Sequence, residues 1–135
     1  MVARRRGWSG RVSDALSSPR MPIQIVSARV PLDDLRRLAE GQFGDFVKAV
    51  VDVSRGLMAI GGELHADEEA VLLQDGARQA DLWGINLYPA MPLRDFVEFD
   101  SMINVRPSQG NRSRGIEDAA VRRQIEGVIV RLVER

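Results

Sequence analysis

The chain contains no cysteine, a single histidine and a single tyrosine. Lack of cysteine excludes disulfides, thiolate metal ligands and a cysteine nucleophile, and it accords with a reducing cytoplasm, the expected location. One imidazole and no thiol leave zinc without its usual ligands, so no metal site is expected. Aromatic residues make up only 5% of the chain, whereas modules that bind single-stranded nucleic acid want several exposed rings on a basic sheet. No apolar run approaches the roughly 18–20 residues needed to cross a bilayer. No hydrophobic stretch of secretory-signal type follows the early arginines, so no membrane partner is expected. The glycine pair Gly61-Gly62 falls short of either nucleotide fingerprint, and no cofactor is expected.

What is present suits one ordinary globular domain: 135 residues, 44% of them hydrophobic and 28% charged. That length can bury a core without staples. The net charge of zero hides an asymmetry. Residues 1–20 carry five arginines and one aspartate, so the other 115 residues are mildly acidic. The basic stretch has few apolar groups and is expected to be a disordered extension of a domain spanning 21–135, with Met21-Pro22 as its start. Its competing reading is an electrostatic arm, and nucleic acid is expected as a partner only through it. Its arginine- and serine-containing composition also fits an organelle transit peptide.

The periodicity predicts an α+β fold: an antiparallel or mixed sheet of about five strands with three helices, in the order β-α-β-β-α-β-β-α. A β-branched strand over 23–28 precedes a helix opened by Val30-Pro31, whose buried stripe is Leu32, Leu35, Leu38 and Ala39. Residues 46–60 read as a valine-rich hairpin turning at Ser54-Arg55-Gly56, with one long helix as the competing reading. A short helix capped by Asp67 runs to Gly76. Residues 81–89 and 96–105 alternate as strands, the second being the clearest strand pattern. Ile116 to Val133 falls at helical spacing.

Two stretches carry groups that could do chemistry. His65 follows the glycine pair and alternates with Glu63 and Asp67; it reads as a general base oriented by one of those carboxylates, or as a structural histidine near a helix start. Residues 104–113 are dense in hydrogen-bonding side chains at the entrance of the last helix. There Arg106 and Arg112 offer forked donors for an anion, and Asn104, Ser108, Gln109 and Asn111 could orient it. The competing reading is a loop that satisfies itself. Asn86 and Asn104 interrupt apolar strands, as clips or as part of a site.

The runs VKAVVDVSRGLMAIGGELHADEEAVLLQDG, DLWGINLYP and INVRPSQGNRS resemble a family of small uncharacterised prokaryotic proteins, catalogued as a domain of unknown function. The resemblance covers about residues 22–135 and implies kinship without an activity. The functional expectation is a small ligand-binding or interaction domain with an anion-accepting polar pocket shared by His65 and the 104–113 loop. The alternatives are an enzyme using His65 as base with Arg106 as anion anchor, and a homodimeric interaction module.

Overall fold

The computed structural model describes residues 22–135; the expectations for residues 1–20 lie outside the described residues. Its elements are β1 (Gln24–Val26), β2 (Val30–Pro31), α1 (Leu32–Gly41), β3 (Val47–Asp52), β4 (Leu57–Ile60), α2 (His65–Gln74), β5 (Leu82–Leu87), β6 (Val97–Glu98), α3 (Ala119–Leu132) and β7 (Val133–Glu134). Among the described residues the fold is α+β, with three helices and a five-stranded antiparallel sheet in the order β1-β4-β3-β5-β6. A two-residue parallel pair of β2 with β7 ties the start of α1 to the end of α3.

The hairpin reading of residues 46–60 holds: β3 pairs with β4 from Ala49↔Ile60 to Asp52↔Leu57. The buried Asp52 carboxylate fixes the turn by accepting from the Ser54 and Arg55 backbone N–H groups and from Arg55 Nε at 2.7 Å. Valines here favour the pleated surface over the helix.

The sheet is covered on both faces. Val47, Ala49, Val51, Trp83, Ile85 and Leu87 meet Leu35 and Ala39 of α1 and Ile125, Val128, Ile129 and Leu132 of α3 in the large core. On the other face Val50, Ala59 and Leu82 meet Leu72 of α2 in a smaller one. The small core leaves the rest of that face to Lys48, Gly84 and Asn86, which lie at alternate positions of β3 and β5. That unevenness leaves polar groups on this face of the sheet.

Three elements depart from the sequence reading. The helix expected from an Asp67 cap begins three residues earlier, at His65 with Leu64 as its cap, and its inward positions are His65, Glu68 and Leu72. The strand expected over 96–105 is only Val97–Glu98, because Ser101 Oγ accepts from the Ile103 N–H and starts a short 3-10 turn, Met102–Asn104. The last helix starts at Ala119, capped by Asp118, whose carboxylate accepts from the Ala120 N–H at 2.8 Å; Ile116 is buried as loop.

Candidate functional site

The 104–113 segment is built around a gap in the sheet. β6 is paired only with Asn86 and Leu87 of β5. From Leu82 to Gly84 the outer edge of β5 has no strand beside it, and side chains take a strand's place. Asn104 Oδ1 accepts from the Gly84 N–H at 2.8 Å, and Asn104 Nδ2 donates to the Gly84 carbonyl at 2.9 Å and to Arg114 O at 3.0 Å. A single amide thus supplies both halves of a missing ladder step. Gly84 is required there: a Cβ would lie 2.5 Å from Ser101 Cβ.

Arg106 continues the clip. Its guanidinium donates to the carbonyls of Ile103 (3.0 Å), Gln79 (2.9 Å) and Leu82. It also reaches Gln109 Oε1 at 3.4 Å, lies 3.8 Å from Glu69 Oε2, and stacks 4.6 Å from the Trp83 ring centroid. The expected anion anchor is therefore an internal fastener; its donors already point at backbone carbonyls. Asn111 closes the loop, donating to the carbonyls of Asn104, Ser113 and Gly115 and accepting from the Glu117 N–H. Arg112 and Ser108 are exposed. The Arg112 and Ser113 backbone N–H groups donate to Glu117, and those bonds hold its carboxylate below the usual range.

What the loop does provide is a wall. A cleft of about 450 Å³ opens between the 3-10 turn Pro107–Gln109 and the first turns of α3. Gln109 and Asn111 line it on one side and Asp118, Val121 and Gln124 on the other, with Trp83 and Asp81 also lining it.

His65 is elsewhere, on the α2 face of the sheet. Its Nε2 lies 2.8 Å from the Ile85 carbonyl. A carbonyl only accepts, so Nε2 carries the proton and Nδ1 keeps a lone pair. Neither Glu63 nor Asp67 orients the ring, in contrast to the sequence expectation; both side chains are exposed and the backbone does that work. Burial pushes the imidazole below its ordinary value of 6.5, and nearby Lys48 adds to the effect.

The sequence reading passed over most of what surrounds His65. Glu68, one helical turn on, is fully buried, and burial pushes its carboxyl up to about 9, so it stays protonated at neutral pH. Its Oε2 accepts from the Gly62 N–H at 2.9 Å, and a Cβ on Gly62 would lie 2.7 Å from Glu68 Cγ. Below α2, Lys48, Asn86 and Glu98 stand side by side on three neighbouring strands. Asn86 Nδ2 and the Tyr88 hydroxyl both donate to Glu98 Oε1, at 2.9 and 3.0 Å. Arg114 pairs with Asp100 at 2.7 Å. The glycine pair followed by His-x-x-Glu was the legible hint, since i and i+3 share a helix face.

His65 and Glu69, the residue that meets Arg106, lie one turn apart on α2. Arg106 faces Glu69 and Trp83, whereas His65 sits over Ile85 in the surroundings of Lys48, Asp100 and Arg114. Among the described residues, no three His, Cys, Asp or Glu side chains are grouped to hold a metal ion, and no helix is long and apolar enough to cross a membrane.

Residues 24–132 match the family described as "Protein of unknown function (DUF5674)", and the chain belongs to that family. No curated protein and no solved structure matches it.

Proposed function

We propose that this chain is a small-ligand-binding domain whose site is the cleft beside Trp83, and that the ligand is an organic cation. The carrying observation is the lining: two carboxylates, Asp81 and Asp118, with the polar side chains of Gln109, Asn111 and Gln124, and no lysine or arginine among them. The volume lies within the range of small-molecule sites, roughly 300–1,000 Å³. The start of α3 contributes about half a positive charge, which two carboxylates outweigh. The anion-accepting version of this pocket is replaced on that charge balance and on the engagement of Arg106.

Trp83 also lines the cleft, with the Arg106 guanidinium already stacked 4.6 Å from its ring centroid. A cytoplasmic location fits the absence of cysteine. A reading as a homodimer would use the exposed Leu93 and Val130 at the far end of α3, and light scattering separates it from a monomer.

The test is an NMR titration with agmatine, which carries an amine and a guanidinium. Shifts should centre on residues 80–83, 109–111 and 118–124. Asp81→Asn, and Asp118→Ser, which keeps the helix cap, should each weaken binding roughly tenfold. Affinity unchanged from the parent chain in both variants, or a stronger response of the same residues to phosphate, defeats the proposal.

A further inference from the structure

A second set of groups is separate from the cleft and unexplained by packing. Glu68 is 0% exposed, Asn86 6% and His65 8%. Among their buried atoms, Glu68 Oε1 and Asn86 Oδ1 have no hydrogen-bond partner among the described residues. Leaving a buried polar atom unpaired costs about 1–3 kcal/mol, so two in one neighbourhood call for a reason.

Their chemistry is complementary. Protonated Glu68 accepts from Gly62 through Oε2, which leaves Oε1 to donate. Asn86 has committed its amide nitrogen to Glu98 Oε1 and Asp100 O, which leaves its oxygen to accept. His65, fixed through Nε2, leaves Nδ1 to accept. The charges that bear on them are mixed: Lys48 and Arg114 against Asp67, Glu98 and Asp100. The row is also reachable, because Tyr88 and Asp100 are half-buried and Glu98 is exposed. Next to it, Tyr88 lies 5.4 Å from Phe46, which stacks on Phe43 at 4.9 Å.

We propose that the head of α2 is a second binding site, specific for an uncharged carboxamide, in which Glu68 donates to the ligand's carbonyl oxygen and Asn86 Oδ1 and His65 Nδ1 accept from its NH2 group. A primary amide is the small group that offers one acceptor and two donors without charge. An attached ring would lie toward Tyr88 and Phe46.

The probes are benzamide and its anionic isostere benzoate, followed by NMR on the full chain. Benzamide should shift residues 62–69 and 86–88 and bind at least tenfold more tightly than benzoate, which brings a charge and no donor. Asn86→Ala should weaken benzamide roughly three- to tenfold, the value of one neutral hydrogen bond. Glu68→Gln keeps a donor at the same place and should retain binding, whereas Glu68→Leu should lose it. Benzoate binding as well as benzamide, shifts confined to the Trp83 cleft, or Glu68→Leu binding unchanged each overturn the proposal. Retention in Glu68→Gln, beside loss in a Glu68→Leu chain whose amide spectrum outside residues 62–69 and 86–88 matches the parent, supports it.

Discussion

Two polar regions of this molecule look alike in composition and behave oppositely. Around Asn104, Arg106 and Asn111, amides and a guanidinium are buried and matched to backbone partners at 2.7 to 3.1 Å. Around His65, Glu68 and Asn86, groups of similar burial leave two oxygens without partners. The first region is closed and holds a sheet edge that lacks a strand. The second is open and holds hydrogen-bonding capacity in reserve. Density of polar side chains does not separate a fastener from a site; completion of the hydrogen-bond set does.

The sharpest way to break the comparison is to remove the clip. Asn104→Ala strips the partners from the buried Gly84 N–H and C=O, while Arg114 O keeps the Ser101 N–H. With each orphaned group costing about 1–3 kcal/mol, a loss of about 3–4 kcal/mol is expected in urea unfolding. A loss under about 1 kcal/mol would mean that the edge of β5 does not depend on this amide, and the closed region would no longer be a fastener.

The second test acts on the open region and has the opposite sign. Glu68 keeps its proton in the folded chain up to about 9, whereas the unfolded chain releases it above about 4.5. Stability therefore falls as pH rises through that window. His65 works the other way: its folded imidazole is held below 6.5, so acidification below 6.5 protonates the unfolded chain first and also lowers stability. The two slopes oppose below pH 6.5, and from there to about 9 Glu68 acts alone. Glu68→Gln should flatten that upper limb and stabilise the chain at pH 7 by about 3 kcal/mol, from 2.5 pH units at 1.36 kcal/mol each. Thermal melts from pH 5 to 9 decide it; parallel curves for the two proteins would mean that Glu68 is ionised inside the fold.

The legible and illegible parts of the chain divide along the same line. Apolar periodicity located the hairpin and the three helices because burial on one face repeats at fixed spacing. It failed over 96–105, where the alternation is real but the partner edge is occupied by Asn104 and Arg106 side chains, and a strand there would have no ladder to join. It marked the polar loop correctly as ordered, yet could not tell that Arg106 points inward, since carbonyls from Gln79 and Leu82 reach it only in three dimensions. Glu68 was invisible for a different reason. A glutamate in the first turn of a helix reads as a solvated partner of the helix dipole, and only the approach of Gly62 shows it buried and protonated.

Asn86 allows the smallest and most discriminating test. It is buried, as Asn104 is, and lies on the same strand face as the residue that Asn104 clips, Gly84. If burial alone set the cost of losing an amide, the two alanine variants would be equally damaged. Asn104 has two backbone groups of β5 depending on it, whereas Asn86 donates to an exposed carboxylate, Glu98, and at 3.4 Å to Asp100 O. Glu98 can turn to water when the amide is gone, and the unpaired Asn86 oxygen disappears with the side chain. The expected loss for Asn86→Ala is about 1 kcal/mol, within the range of a single net hydrogen bond. A cost equal to that of Asn104→Ala in the same urea series would show that Asn86 is a second fastener, and the distinction between closed and open regions would collapse.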